Sequence, residues 1–272
     1  MTDRVRLARF ADGGRSFYAL LGPAGQDLDP PRIRELGADP FVSGLAEALQ
    51  NASGPDRSVA GLTWLPPCAP SKIVAVGRNF GAHIAEMQSA APSEPLLFLK
   101  PPSALLPHGG IIRLPGASQR VDFEGELGVV IGRAARSIPE ARALEHVLGY
   151  TCVNDVTARD LQKKDGQFTR AKGFDTFCPV GPCIATGLDP AALAIETRVN
   201  GERRQSSPLS LMIFGVARLV SYVSQVMTLL PGDLIACGTP EGVGPLRPGD
   251  EVTVSIPGIG RLTSQVAGPE GR

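Results

Sequence analysis

The chain has 272 residues, with 27 Lys and Arg balanced by 27 Asp and Glu. Its 43% hydrophobic and 20% charged content fits a folded protein of one large domain, or a main domain with a small companion, and argues against a disordered chain. The zero net charge lacks the basic excess that a general nucleic-acid or anionic-membrane binder needs, so function must come from a local arrangement of charges.

The opening residues, MTDRVRLARFADGG, contain no apolar run of the signal-peptide kind. No stretch reaches the ~18 apolar residues of a membrane span. A cytoplasmic protein with no membrane or nucleic-acid partner is expected. Residues 5–10 and 17–21 flank Asp12-Gly13-Gly14, the signature of a hairpin. A short helix is expected over 41–50. Pro66, Pro67 and Pro70 impose an extended segment. They divide a small N-terminal α/β domain, 1–69, from a main domain, 70–272.

In the main domain, residues 73–76 and 96–99 read as short strands around a helix at 81–88. Residues 121–131 read as one long alternating strand. A helix is expected over 137–146, with Ser137 as cap and Pro139 in the first turn. Residues 147–153 are again strand-like, and 157–162 make one or two helical turns. The clearest helix is 213–230, where Ile213, Val216, Ala217, Val220, Val223 and Met227 form one apolar face. Pro231-Gly232-Asp233 and Pro248-Gly249-Asp250 are turns, each leading into a strand, at 234–237 and 251–256. The 32 glycines and 25 prolines, spread between apolar segments, mark turns joining many short strands. The expected class is α+β, rich in β, as a roll or partial barrel.

The segment Val121-Asp-Phe-Glu-Gly-Glu-Leu127 is the most informative. Side chains on a strand alternate faces, so Glu124 and Glu126 share one face about 7 Å apart. The pair fits a solvated acidic face, or a divalent cation that offsets the repulsion. Asp155 lies just past the strand at 147–153. If the two strands are neighbours, three carboxylates form an all-oxygen set suited to Mg²⁺, Mn²⁺ or Ca²⁺. Five cysteines without a CxxC pair read as reduced thiols and disfavour a thiolate zinc site.

His83 and Glu86 stand three apart on the helix at 81–88, so they share a face. They fit a surface pair, or a dyad in which the carboxylate fixes the imidazole tautomer for general-base work. Lys100 and Lys172 are either solvated or placed to meet a substrate carboxylate or enolate oxygen. The turn Gly238-Thr-Pro-Glu-Gly-Val-Gly244 lacks the GK[ST] of a P-loop. Its N–H groups and the Thr239 hydroxyl suit either a tight turn or a bound carboxylate.

Six motifs in order resemble the fumarylacetoacetate hydrolase family. They are Gly77-Arg-Asn-Phe-Gly-Ala-His-Ile-Ala-Glu86, Phe98-Leu-Lys-Pro101, Phe123-Glu-Gly-Glu-Leu127, Asn154-Asp-Val-Thr-Ala-Arg-Asp160, Ala171-Lys-Gly-Phe-Asp-Thr-Phe-Cys-Pro179 and Gly238-Thr-Pro-Glu-Gly-Val-Gly244. The resemblance spans about residues 70 to 265. It implies a mixed β-roll of that family's C-terminal type, usually a homodimer. It implies Glu124, Glu126 and Asp155 as ligands of Mg²⁺ or Mn²⁺, with Ca²⁺ as a further candidate. It implies His83 and Glu86 as the water-activating dyad and Lys172 beside the substrate oxygens. Arg78, Lys100, Gln162 and Thr239 are the matching substrate-binding positions. The implied substrate is a 2-oxo or enol acid of the kind met in aromatic catabolism. The implied reaction is acylpyruvate C–C hydrolysis or isomerisation of 2-hydroxyhepta-2,4-diene-1,7-dioate, with oxaloacetate decarboxylation or tautomerisation as the alternative. A non-catalytic, metal-dependent keto-acid binder is the competing class. The family often carries Tyr where this chain has Phe80, which leaves substrate choice open.

Overall fold

The computed structural model describes residues 4–22, 32–52, 54–86 and 90–269. Strands β1 (Arg6–Asp12) and β2 (Arg15–Leu21) form the expected hairpin, paired from Arg6↔Leu21 to Asp12↔Arg15. Gly13 and Gly14 turn the chain at φ +54° and +87°, a region that glycine enters without steric cost. The leading region continues with β3 (Arg32–Glu35), α1 (Leu45–Gln50), β4 (Arg57–Ser58) and β5 (Thr63–Leu65).

From Ile73 come β6 (Ile73–Gly77), α2 (Gly81–Glu86), β7 (Leu96–Lys100), β8 (Leu105–Leu106) and β9 (Ile111–Arg113). The end of the helix expected at 81–88 lies outside the described residues. The acidic segment gives two strands where one was expected: β10 (Val121–Phe123) and β11 (Gly125–Ile131), broken at Glu124. Then follow β12 (Val147–Asn154), β13 (Thr157–Ala158), α3 (Arg159–Asp165) and α4 (Thr169–Lys172). Strands β14 (Cys178–Ala185), β15 (Ala194–Val199) and β16 (Glu202–Pro208) lead to α5 (Val216–Val226). The chain closes with β17 (Leu234–Ala236), β18 (Gly244–Pro245), β19 (Glu251–Ile256) and β20 (Gly260–Ala267).

The result is a β-rich α+β fold built on three sheets, two mixed and one, β13-β10-β18, antiparallel. The largest runs β4-β3-β2-β1-β14-β12-β11-β17-β6-β7, so the leading strands extend the main sheet through the β1–β14 pairing. A second sheet runs β13-β10-β18 and a third β16-β15-β19-β20-β9. Every residue of β11 is buried. Leu127, Val129 and Ile131 face the core that includes Val216, Leu219, Val220 and Val223 of α5, and Val130 faces a second core with Ile73 and Val153. This burial on both faces explains why the strand is apolar on both sides. It also makes any polar group on the strand costly unless it is paired.

Two helices differ from their expected form. Helix α5 begins at Val216 because the N–H groups of Ile213 and Phe214 donate to the backbone oxygen and Oδ1 of Asn79, which holds that stretch out of the helix. Residues 140–146 form 3₁₀ turns, with Pro139 before them. Ser137 sits at φ +48° and does not cap the segment. The segment is instead pinned by Ser224, whose oxygen accepts from Ser137 N–H and whose Oγ accepts from Ile138 N–H. No described helix is long and apolar enough to cross a membrane.

Candidate active site

The break at Glu124 brings the acids together. The Glu124 N–H donates to Asn154 Oδ1 at 2.9 Å, and its carbonyl accepts from Asp155 N–H at 2.8 Å. β11 thus starts beside the end of β12, with Gly125 opposite Asn154. Glu124, Glu126 and Asp155 are all buried, and each offers a carboxylate oxygen within 4.8 Å of the others. The neighbouring strands assumed in reading the sequence are therefore present.

Three buried cations surround these acids. Lys172 Nζ lies 2.6 Å from Glu124 Oε2 and 2.5 Å from Asp155 Oδ2. Lys100 Nζ lies 2.6 Å from Asp155 Oδ1. Arg159 donates to Glu124 Oε1 at 2.5 Å, Asp122 Oδ2 at 2.9 Å and Gln162 Oε1 at 2.7 Å. Burial alone would push Glu124 up, but Lys172 and Arg159 outweigh it and hold this carboxylate well below its usual range. Burial, followed by the Asp155 charge, pushes Glu126 well up. Its hydrogen bond comes from Gly238 N–H, at 2.8 Å. The set is thus oxygen-only and buried, with one carboxylate poorly compensated. Those are the features a hard divalent cation fits.

The acids line a cavity of about 330 Å³ that also presents His83, Arg78, Gln162, Thr239 and Lys172. Phe98 and Phe168 form an apolar wall, edge to face at 5.1 Å between centroids. Lys172 Nζ stands 5.2 Å from the Phe98 ring centre, a cation–π distance. Two expected site residues stand behind the lining. Lys100 is fully buried behind Asp155. Glu86 lies beyond His83, with its Oε2 3.1 Å from His83 Nδ1. Glu86 also accepts from Gly242 N–H, at 3.1 and 3.3 Å to its two oxygens.

A carboxylate on Nδ1 makes that nitrogen the donor and leaves Nε2 as the imidazole's free acceptor. Arg78 adopts φ +58°, an unusual conformation for a non-glycine residue at the end of β6. Phe80 is 1% exposed and belongs to the main core, apart from the cavity lining. The Phe-for-Tyr difference therefore falls in the core, away from the substrate-facing surface.

Several residues of this arrangement were not singled out from sequence. Arg159 stands inside a quoted motif, at the start of α3, and that membership was its available signal. Asp122, the first acid of the same alternating face, pairs with Arg159 and Arg120. Phe98 sits next but one to Lys100. Asn154, Gln205 and Phe168 are placed by long-range contacts that no local pattern marks.

Residues 72–267 match the family model described as fumarylacetoacetate (FAA) hydrolase C-terminal. Oxaloacetate tautomerase YisK of Bacillus subtilis is 44% identical over 250 residues, 84% of this chain and 83% of that protein. The crystal structure of 2-hydroxyhepta-2,4-diene-1,7-dioate isomerase from Mycobacterium marinum superposes with a TM-score of 0.88 at 44% identity, covering 98% of this chain and all of that one. Fumarylpyruvate hydrolase from Pseudomonas aeruginosa, solved in complex with Mn²⁺ and pyruvate, is similar at TM-score 0.69 and 36% identity over 73% of this chain and 90% of that one.

Proposed function

This chain belongs to the fumarylacetoacetate hydrolase family, and on that premise we propose that it is a divalent-metal-dependent enzyme acting on a 2-oxo or enol acid. The reaction proposed is C–C hydrolysis of an acylpyruvate of the fumarylpyruvate type, or isomerisation of 2-hydroxyhepta-2,4-diene-1,7-dioate. The observation that carries the reading is the buried acid cluster facing a cavity into which His83, backed by Glu86, also opens. The Mn²⁺ and pyruvate of the Pseudomonas aeruginosa relative support it.

Glu124, Glu126 and Asp155 would hold Mg²⁺ or Mn²⁺, and the bound ion supplies Lewis-acid stabilisation of negative charge developing on the substrate's oxo oxygen. Lys172 adds a fixed positive charge at the cavity floor, where that charge develops. Arg78, Gln162 and the backbone N–H of Thr239 bind the substrate's carboxylate and oxo oxygens, since the Thr239 hydroxyl proton is already given to Gly125 O. Phe98 and Phe168 exclude water from one wall. His83 takes a proton at Nε2, from water in the hydrolytic version or from carbon in the isomerising one. Glu86 stabilises the imidazolium that results. A non-catalytic keto-acid binder would need no such dyad. A homodimer is part of the same proposal.

A second reading, oxaloacetate tautomerisation, is favoured by the identity to YisK. The deciding experiment strips the protein with chelator and reloads it with Mg²⁺ or Mn²⁺. Enol absorbance is then followed with fumarylpyruvate, acetylpyruvate, oxaloacetate and an oxoheptenedioate. Metal-dependent loss of one substrate is expected. No metal uptake and no turnover of any of the four would defeat the proposal.

A further inference from the structure

The glycine-rich loop that follows β17 serves both halves of the site. Its Gly238 N–H donates to Glu126 Oε2, and its Gly242 N–H donates to Glu86. Two contacts at opposite ends of so short a loop require that the loop itself be held. The holding group comes from the third sheet. Gln205 of β16 is 1% exposed. Its Nε2 donates to Thr239 Oγ1 at 2.8 Å and to Pro240 O at 2.9 Å, while its Oε1 accepts from Gly125 N–H at 3.0 Å. Thr239 Oγ1 in turn donates to Gly125 O at 2.9 Å.

Gly125 is the residue between Glu124 and Glu126. One amide side chain therefore ties the strand break that carries the two glutamates to the loop that supports Glu126 and Glu86. The fit leaves no room on either side. A Cβ on Gly125 would stand 2.1 Å from Thr197 Oγ1, and one on Gly242 would stand 2.1 Å from Arg204 O. Gly242 also requires φ +92°.

We propose that Gln205 is a positioning residue that sets the spacing between the glutamate pair and the His83–Glu86 dyad by moulding loop 238–242. It is not part of the cavity lining and acts through Gly125, Thr239 and the loop. The inference rests on the metal reading above, and its test separates the two.

The principal variant is Gln205→Met, which keeps side-chain length and removes all three hydrogen bonds. The companion is Glu86→Ala, which removes the acceptor of the Gly242 N–H and leaves Gln205 with its three hydrogen bonds. Mn²⁺ affinity is read from the electron paramagnetic resonance of free Mn²⁺, beside melting temperature, kcat and KM. Gln205→Met is expected to raise the Mn²⁺ Kd about 10-fold or more, the usual effect of losing support behind a metal ligand, and to lower kcat by a similar factor. Glu86→Ala is expected to lower kcat while keeping wild-type Mn²⁺ affinity. Wild-type Mn²⁺ affinity in folded Gln205→Met, with only its melting temperature reduced, would make Gln205 merely structural and overturn the proposal. If Gln205→Met does not fold, Gln205→Asn is used, since its shorter arm cannot span Gly125 and Thr239 together; wild-type affinity there overturns the proposal equally. Absence of Mn²⁺ binding by the wild-type protein would remove the metal reading and this inference with it.

Discussion

Lys100 Nζ lies 2.6 Å from Asp155 Oδ1, and neither side chain is more than 1% exposed. The lysine faces the back of the carboxylate, so its charge reaches the cavity only through Asp155. Without the lysine, Asp155 keeps only Lys172, which it shares with Glu124. Lys100→Met should therefore destabilise the metal-free protein, by less than the ~3–5 kcal/mol of a fully stranded buried charge. Thermal melts with and without Mn²⁺ test this, and added metal should recover part of the loss by compensating Asp155. A raised KM at unchanged melting temperature would instead make Lys100 a substrate contact.

Glu124 and Glu126 are two residues apart yet respond to different neighbours. Glu124 is held by Lys172 and Arg159, whereas Glu126 takes its hydrogen bond from a backbone N–H and is repelled by Asp155. Glu126→Ala should leave the fold intact and abolish Mn²⁺ binding and turnover. Glu124→Ala should lower the melting temperature as well, because it takes one carboxylate partner from each of two buried cations and leaves Lys172 with Asp155 and Arg159 with Asp122. Calorimetric titration with Mn²⁺ and a thermal melt of each variant check the contrast. Retained turnover in Glu126→Ala would contradict the ligand assignment.

His83 contacts Glu86 and opens on the cavity, but no described hydrogen bond joins it to the three acids. His83→Ala should therefore keep metal affinity while acylpyruvate hydrolysis falls about 10²–10⁴-fold, the range for loss of a general base. Steady-state kinetics beside Mn²⁺ titration would decide. If oxaloacetate decarboxylation alone survives, the dyad serves water activation and not enolate formation.

The three acids were legible because strand alternation and a strand end are local features, and β11 and β12 proved to be neighbours. The break at Glu124 was not legible. It depends on β10 leaving the main sheet to pair with β13 and β18, and on Asn154 receiving the Glu124 N–H. The apolar period of α5 was visible, but its start was set by Asn79, more than 130 residues upstream. Lys100 and Lys172 look alike in sequence, each following an apolar or helical stretch. Only the packing puts one behind Asp155 and the other in the cavity. Gln205 carried no local signal at all, since its partners lie on β11 and the loop after β17.

Trp64, the only tryptophan in the chain, packs edge-on against His108 with 5.0 Å between ring centres. His108 Nδ1 accepts from the Thr263 N–H at 3.2 Å, so that nitrogen must be unprotonated for the contact to exist. Burial pushes the imidazole below its ordinary value of 6.5. The sign of the consequence follows from linkage. The unfolded chain takes up this proton at a higher pH than the folded one, so folding releases it. The stabilising contribution is present above pH 6.5 and is lost as pH falls from there through the folded value. Protonated imidazole quenches a neighbouring indole, so Trp64 fluorescence reports the event directly. Emission should drop on acidification with a midpoint below 6.5, and the melting temperature should fall over the same range. His108→Asn keeps an acceptor near the Nδ1 position without a titrating ring, and should flatten the fluorescence transition and its share of the pH-dependent melting. A fluorescence midpoint above the ordinary histidine value would mean that His108 is stabilised as the cation, contrary to its buried contact with Thr263.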